Sequence, residues 1–321
     1  MTRLTHAAAA AFVAGAVACA GSAADAQAQW PSRNIDVIIP SGPGGGFDVY
    51  ARILGQMMEK HVNVNIVPRN VTGGGGLRGA ETAFNAPADG YSFAVYNIPG
   101  VIEPVIRGEQ VGFDLDRIDW LGSMAFGQYV VVVAADSPYH TMQDLAAAGD
   151  VAFTGYGSSG IAANRILCSE AGMSECTIIT GYQTNTEALL GVVRGDAEAS
   201  VTPISTAIAF NTNNDLRGIL LMSDDPDPHF PDTPGATEAG LPAVASLGLV
   251  RAFALPPGVD PAIRAQFQEL FDAALADPDL VAWGESTGSP FQPMSSEDLA
   301  KLIAAQTALL TQYRDVIAAE N

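Results

Sequence analysis

The feature that most constrains the fold is a strand, a glycine-rich turn and a helix that follow one another directly. The strand is predicted over Ile35–Ile39, where β-branched residues dominate, and Pro40 closes it. From Phe47 onward apolar residues recur at helical spacing, so the helix should begin just after the glycines at 44–46. A helix start exposes unpaired N–H groups and carries roughly half a positive charge. The turn is therefore suited to binding an anion, and a tight turn without a ligand is the equally weighted alternative.

Two familiar phosphate-binding motifs do not match this turn. A P-loop needs Lys followed by Ser or Thr after its last glycine, whereas Phe47 and Asp48 stand here. The dinucleotide pattern G-x-G-x-x-G would require a third glycine in place of Phe47. Nucleotide binding at this turn is therefore not expected.

A second glycine turn follows the next predicted strand and opens a helix that runs through Phe84. Gly74, Gly76 and Gly79 do satisfy G-x-G-x-x-G, but four consecutive glycines satisfy most glycine patterns. No acidic residue closes a following strand at the distance that a dinucleotide site requires. A second turn that faces an anion is the better interpretation.

Residues 1–28 are predicted to be a signal peptide. Arg3 precedes an apolar run over 7–20, and the small-x-small pattern at 26–28 predicts cleavage near Ala28. A membrane anchor is disfavoured because the run is shorter than the roughly 20 residues needed to cross a bilayer. A lipoprotein signal at Cys19 is a further alternative, although Ala16 stands where a bulkier aliphatic residue is expected. The sequence thus predicts an exported, periplasmic protein.

The charge of the chain excludes several classes of partner. It has 35 acidic and 15 basic residues, a formal net charge of −20, and lysine only at Lys60 and Lys301. This balance opposes nucleic-acid binding and favours a soluble monomer. It does not oppose a small anion, because N–H groups act at contact while the net field is screened beyond about 10 Å. No metal or cofactor is predicted, since ligand spacing is absent among the mature histidines, His61, His140 and His229.

Two cysteines would remain after export. Cys168 lies in a predicted helix over 162–171, and Cys176 begins the next predicted strand. The oxidising compartment makes a disulfide between them a candidate, and a pair of buried thiols is the alternative.

Strands and helices alternate along the rest of the chain, as in a parallel sheet. A long β-rich stretch covers 121–134, and the chain is predicted to cross into a second domain near Phe126. The alternation restarts there, and a strand over 249–255 returns the chain to the first domain. The predicted domains are a discontinuous first domain of residues 29–125 and 248–321, and a second domain of residues 126–247.

Two N-terminal motifs together resemble the signature of the Bug, or tripartite tricarboxylate transporter, substrate-binding proteins. The first starts with Trp30-Pro-Ser-Arg33 and runs through the strand to a Pro-Gly-Gly-Gly-Phe-Asp core that ends at Asp48. The second is Asn70-x-x-Gly-Gly-Gly-Gly-x-x-Gly-Ala80. Ala88-Asp-Gly-Tyr91 and Pro256-Pro-Gly258 are similar to further landmarks, so the resemblance covers essentially the whole mature chain.

The resemblance implies an α/β fold of the two-domain periplasmic-binding-protein type, type II-like. Each domain would be a mostly parallel sheet flanked by helices, with the ligand in the cleft between them. The implied function is to capture a small carboxylate, with a dicarboxylate favoured, and to deliver it to the membrane permease subunits of a tripartite tricarboxylate-type transporter. Chemistry on the ligand is not implied.

The expected ligand contacts are turn residues on the cleft side of both domains. In the first domain they are Ser41, Gly42, Gly44, Gly45, Gly46, Phe47, Asp48, Thr72, Gly74, Gly75 and Gly76, and in the second they are Ser158, Ser159, Tyr182, Asn185 and Thr202. N–H groups of residues 41–47 would hold one carboxylate, with the turn 72–76 closing beside it. Turn stabilisation and helix capping are alternative roles for the Ser and Asn side chains and for Asp48.

Two departures from the family pattern bear on the ligand. Gln183 and Thr184 replace the basic residue and the glycine of a common Pro-Tyr-Lys-Gly turn, and Ser41 stands where an apolar residue is frequent. An exported enzyme and a ligand-sensing partner of a membrane receptor are the alternative functions. For the enzyme, the sequence offers neither a G-x-S-x-G elbow nor a zinc-protease motif.

Overall fold

The computed structural model describes residues 30–173, 175–287, 289 and 291–318. The predicted signal peptide and its cleavage site lie outside these residues. Within them, no helix combines the length and the apolar character that a membrane span requires.

Strands and helices alternate through most of the chain. The strands are β1 (Ile35–Ile39), β2 (Ile66–Asn70), β3 (Ser92–Ile98), β4 (Asp119–Ala134), β5 (Val151–Thr154), β6 (Cys176–Ile179), β7 (Ala199–Pro203), β8 (Leu216–Leu221), β9 (Gly248–Leu255) and β10 (Met294–Ser295). The helices are α1 (Gly46–Glu59), α2 (Leu77–Phe84), α3 (Glu103–Ile106), α4 (Met142–Ala147), α5 (Gly157–Glu170), α6 (Asn185–Arg194), α7 (Ile204–Thr212), α8 (Pro261–Leu275), α9 (Pro278–Thr287), α10 (Ser296–Gln312) and α11 (Arg314–Ala318). The predicted strand, turn and helix at the N-terminus are confirmed.

The strand β4 belongs to two sheets and so joins two lobes. Its N-terminal part, Asp119–Gln128, pairs with β9 in a sheet of order β2-β1-β3-β9-β4, which β10 extends; this is the first lobe. Its C-terminal part lies between β7 and β8 in a sheet that continues through β5 to β6; this is the second lobe. The pairs β1–β2, β1–β3, β5–β6 and β5–β7 are parallel, and the pairs of β4 and β9 are antiparallel. The α/β class is confirmed, with antiparallel pairing wherever the chain crosses between lobes.

The sequence of β4 explains its central position in the second lobe. Residues 130–133 are four valines without solvent exposure. Val130 and Val132 join one apolar cluster, while Val131 and Val133 join another, because successive side chains of a strand point to opposite faces. β4 is therefore covered on both faces in the second lobe.

The C-terminus makes a further crossing that the sequence did not predict. α10 packs against β4, whereas the short α11 packs against α5 of the second lobe. The Tyr313 hydroxyl donates to Glu170 Oε1 at 2.8 Å, and Arg165 Nη1 donates to the carbonyl of Ile317 at 2.6 Å. The predicted domain boundaries stay a prediction, to which the structure adds this contact of the last helix with the second lobe.

Cys168 and Cys176 are joined in the structure across the turn between α5 and β6. Their Cα atoms lie 6.2 Å apart. The bond pins the end of the helix to the start of the strand, and its formation in the exported protein stays a prediction.

Candidate ligand-binding cleft

The two lobes touch along the N-terminus of α5. Asn97 Nδ2, at the end of β3, donates to Ser159 Oγ at 2.9 Å. The hydroxyl of Ser158 donates to the carbonyl of Gly100 at 2.8 Å. A Cβ placed on Gly75 would lie only 3.1 Å from the backbone nitrogen of Ser158, so the lobes approach closely at this point and a larger residue would push them apart slightly. The cleft is in a closed arrangement.

Three cavities lie along this junction. The central chamber, of about 20 Å³, lies between the turn after β1 and the start of α5. The arginine chamber, of about 50 Å³, lies beneath the glycine turn and includes Arg251 in its wall. The outer cavity, of about 670 Å³, lies between the second glycine turn and residues 180–184. The first two are small because the lobes are closed upon them.

Helix N-termini from both lobes surround the central chamber. Its wall contains Phe47 in the first turn of α1, Asn185 at the start of α6, and the residues just before α2, α5 and α7, which are Gly76, Tyr156 and Pro203. The residues before α1, α2, α5 and α7 give no side-chain cap to their helices. At α2 the N–H groups of Leu77 and Arg78 donate to the carbonyls of Gly74 and Gly73 in the turn before the helix. A terminus without such bonds offers unpaired N–H groups and roughly half a positive charge. No carboxylate of the described residues lines the central or the arginine chamber, so both favour an anion.

Asp48 braces the first glycine turn. Its carboxylate accepts hydrogen bonds from the N–H of Gly44 at 2.8 Å, from Arg52 Nε at 2.9 Å and from Asn70 Nδ2 at 2.8 Å. Burial raises the pKa of this carboxyl, but the hydrogen bonds from Arg52, Gly44 and Asn70 outweigh burial and hold the pKa below its usual value. Asp48 is therefore ionised, and its carboxylate oxygens accept their hydrogen bonds from within the turn and its neighbours.

The same contacts narrow the set of donors available to a ligand. The N–H of Gly44 binds Asp48, and the N–H of Gly45 donates to the carbonyl of Gly42 at 3.3 Å. The predicted hold on a carboxylate by N–H groups of residues 41–47 stays a prediction, and two of these N–H groups also stabilise the turn itself. Gly46 and Phe47, in the first turn of α1, line the arginine chamber, and a helix start leaves its first N–H groups without a partner in the helix.

The predicted site residues fall into three groups by location. The central chamber is lined by Ser41, Phe47, Gly75, Gly76, Ser159 and Asn185; the arginine chamber also by Gly44, Gly45 and Gly46; and the outer cavity by Gly42, Thr72, Gly74, Ser158 and Tyr182. Asp48 and Thr202 are buried and line none of these cavities. The ligand contacts themselves stay a prediction.

Sequence reasoning missed several wall residues, of which Arg251 on β9 is the most unusual. Its side chain is 2% exposed, and its guanidinium carbon lies 4.1 Å from the centre of the Tyr50 ring and 5.7 Å from that of Phe47. Nε and Nη1 have no hydrogen-bond partner among the described residues. Burial lowers the pKa of Arg251. One charged residue within the apolar run Gly248–Leu255 was the signal that could have revealed it.

Asn97, Tyr129, Tyr156 and Gly160 were missed as well, and all four line the central chamber. Burial raises the pKa of the Tyr129 hydroxyl to about 12, so it stays protonated as a potential donor. Asn97 and Tyr129 lie on β3 and β4, where a sequence pattern shows burial but not which neighbour is reached. They therefore gave no local signal.

The outer cavity differs from the other two because it carries acidic side chains. Glu103 is fully buried and pairs with Arg107 Nη1 at 3.0 Å, while Arg107 also pairs with Glu109. Burial raises the pKa of Glu103 to about 7, against the opposing effect of Arg107. No group of three or more His, Cys, Asp or Glu side chains within the described residues is arranged to hold a metal ion.

Comparisons with known proteins agree with this architecture. The family model described as "Tripartite tricarboxylate transporter family receptor" matches residues 50–319. The UPF0065 protein in the gbd 5' region of Cupriavidus necator is 30% identical over 291 residues, which are 85% of this chain and 85% of that protein.

Two solved structures are similar throughout both lobes. MatC from Rhodopseudomonas palustris with bound malate is 21% identical, with a TM-score of 0.79, over 89% of this chain and 99% of that one. The periplasmic binding protein BugD is 19% identical, with a TM-score of 0.78, over 91% of this chain and all of that one (100%). With the family model matched across both lobes, the chain belongs to the tripartite tricarboxylate transporter receptor family of periplasmic solute-binding proteins.

Proposed function

We propose that this protein captures a small dicarboxylate in the periplasm and delivers it to the permease subunits of a tripartite tricarboxylate-type transporter. The observation that carries the proposal is the convergence of helix N-termini from both lobes on a chamber whose described wall residues include no acidic side chain. In this proposal the protein acts as an exported monomer, cleaved near Ala28, and leaves its ligand chemically unchanged. Its contacts are the predicted residues that line the chambers.

Backbone donors can account for the affinity even though lysine is absent from the walls. A hydrogen bond between a charged group and an N–H contributes on the order of 1.5 to 3 kcal/mol. Two or three such bonds suffice for a dissociation constant near a micromolar, about −8 kcal/mol, once apolar contacts offset the entropy of association. The net charge of −20 is no obstacle, because the dipoles act at contact.

The preference for a dicarboxylate rests on the pair of adjoining chambers. Both chambers favour an anion, and they share Ser41, Phe47 and Asn185 in their walls. The similar MatC structure holds malate, which has two carboxylates. A ligand with two carboxylates would place one in each chamber.

A thermal-shift screen of the mature protein over mono-, di- and tricarboxylates of two to six carbons tests the proposal. We expect at least one dicarboxylate to raise the melting temperature strongly, because a ligand at one hundred times its dissociation constant adds about 2.7 kcal/mol to the folded state. Neutral diamides of the same acids serve as controls and should leave the melting temperature unchanged. Absence of any shift across the whole carboxylate set, together with unchanged calorimetric titrations, would contradict the proposal.

A further inference from the structure

We propose that Arg251 recognises the second carboxylate of the ligand and thereby selects dicarboxylates over monocarboxylates. This inference rests on the proposed function and adds to it a residue and a location, the arginine chamber. Five observations carry it: the burial of Arg251, its unpaired nitrogens, its place in the chamber wall, the helix terminus opposite, and the shared wall with the central chamber.

A buried guanidinium without an anion is costly to the folded protein. The Arg251 side chain is 2% exposed, and no carboxylate of the described residues pairs with it. Its Nε and Nη1 also lack hydrogen-bond partners there. Buried charges are normally paired, because removal from water is expensive. The expected partner is therefore a group that arrives from outside the chain and carries a negative charge.

The aromatic ring beneath Arg251 explains how the side chain is held, but it does not supply a hydrogen-bond acceptor or a negative charge. The guanidinium stacks on Tyr50 at 4.1 Å, and a desolvated contact of this kind is worth roughly 2 kcal/mol. A ring face accepts no in-plane hydrogen bond, so the N–H groups of Nε and Nη1 stay unsatisfied within the described residues. A carboxylate can accept charge-assisted hydrogen bonds from these groups.

The chamber has room for a polar group larger than one water, and its walls suit a carboxylate. Its volume of about 50 Å³ exceeds the roughly 10 to 15 Å³ that one water requires. A Cβ on Gly46 would lie 3.1 Å from Arg251 Nη2, so the guanidinium reaches the first turn of α1. From the second lobe, Asn185 at the start of α6 and Thr206 on α7 belong to the wall. A carboxylate here would lie between a cation and a helix N-terminus.

The position of this chamber specifies the class of ligand. Because it adjoins the central chamber through Ser41, Phe47 and Asn185, one molecule can occupy both. An α,ω-dicarboxylate would place one carboxylate among the helix N-termini and the other against Arg251. A monocarboxylate would leave one of the two anion positions empty.

The test compares succinate, glutarate and adipate with butyrate, pentanoate and hexanoate by calorimetric titration. In the wild-type protein we expect the second carboxylate to strengthen binding about 30-fold for at least one chain length, as a charge-assisted pair of bonds implies. In Arg251→Met this ratio should fall below about threefold. Arg69→Met, which removes an exposed arginine outside the three cavities, should keep the wild-type ratio. Arg251→Lys keeps the charge without the planar fork and should give an intermediate ratio.

Each outcome separates this inference from the proposed function. A wild-type protein that binds no carboxylate refutes the proposed function, and the inference with it. If the wild-type dissociation constants for each dicarboxylate and its matching monocarboxylate differ by less than about threefold at every chain length, the role of Arg251 is refuted while the proposed function stands. This outcome needs no variant. An Arg251→Met protein that keeps the wild-type ratio refutes it as well. The unliganded melting temperature of Arg251→Met should equal or exceed that of wild type, because an unpaired buried charge is gone.

Discussion

At the scale of single residues, Gly160 shows how the central chamber depends on a missing side chain. It lies buried in the first turn of α5 and lines the chamber. Outside its chain neighbours and its own helix, a Cβ placed there would meet no heavy atom within 4 Å. A single added carbon therefore has room at this position, in the wall of the chamber.

Gly160→Val should accordingly reduce ligand binding without unfolding the protein. We expect the ligand-induced thermal shift to disappear, because the side chain fills a cavity of only about 20 Å³. The unliganded melting temperature should change little, since replacing a helical glycine gains roughly 0.5 to 1 kcal/mol while β-branching costs part of that. Gly42→Val is the matched comparison, because it adds the same side chain at an equally unobstructed glycine in the wall of the outer cavity, so a loss confined to Gly160→Val assigns the ligand to the central chamber. Wild-type affinity in Gly160→Val would rule out the central chamber as the binding site.

At the scale of helices and strands, the sequence predicted those elements whose signals are local in the chain. The β-branched run Ile35–Ile39 and the helix after the glycines were predicted because their signals lie within a few residues. The helix predicted over 162–171 begins earlier, at Gly157, where Ser158, Ser159 and Gly160 read as a turn. Contacts with Gly100 and Asn97, about 60 residues away in sequence (separations of 58 and 62), hold these residues in the helix. Such distant partners leave no local pattern. In the same way, the lone charge in the apolar run of β9 signals Arg251 but not its stacking on Tyr50.

The short helix α3 carries a buried acid that should make stability depend on pH. Glu103 has a pKa of about 7 in the folded protein, against a usual value of 4.5, because burial disfavours its charge more than Arg107 favours it. Between these values the folded state holds a proton that the unfolded state has released. Stability therefore falls as the pH rises from about 4.5 to 7, by on the order of 3 kcal/mol, and this contribution is constant outside that window.

Glu103→Gln should remove this dependence. Urea unfolding from pH 4.5 to 8 should show the variant gaining stability relative to wild type as the pH rises, with a plateau above pH 7. Glu109→Gln removes a more exposed acid that also contacts Arg107, and should keep the wild-type slope. Identical slopes in wild type and Glu103→Gln would mean that Glu103 is ionised in the folded protein across the window.

The turn between α5 and β6 provides another test at this scale. A bond across a sequence separation of eight residues contributes about 2.5 kcal/mol in the chain-entropy account of disulfides. We expect no free thiol when the mature protein is denatured without reductant, and a lower melting temperature in Cys168→Ser with Cys176→Ser. Two titratable thiols in the unreduced protein would show that the pair is not bonded after export.

At the scale of the whole molecule, the lobes are joined by strands rather than by a loose linker. β4 runs from one sheet into the other, β9 returns beside it, and α11 reaches back to α5. Side chains that face the cleft therefore come from segments far apart in sequence, such as Ser41, Ser159 and Arg251. A ligand that bridges the lobes stabilises all of these segments together, which is why melting temperature is a suitable measure of binding here.

The position of β9 also determines when the first sheet can finish folding. In the first sheet β9 lies between β3 and β4, although almost the entire second lobe separates it from them along the chain. As the polypeptide emerges N-terminus first, residues 35–128 cannot complete their sheet until residues 248–255 have followed. Such non-local pairing folds slowly and leaves strand edges exposed meanwhile. A chain built in this way stays incompletely folded until most of it has been synthesised, which is the state that a translocation channel can accept.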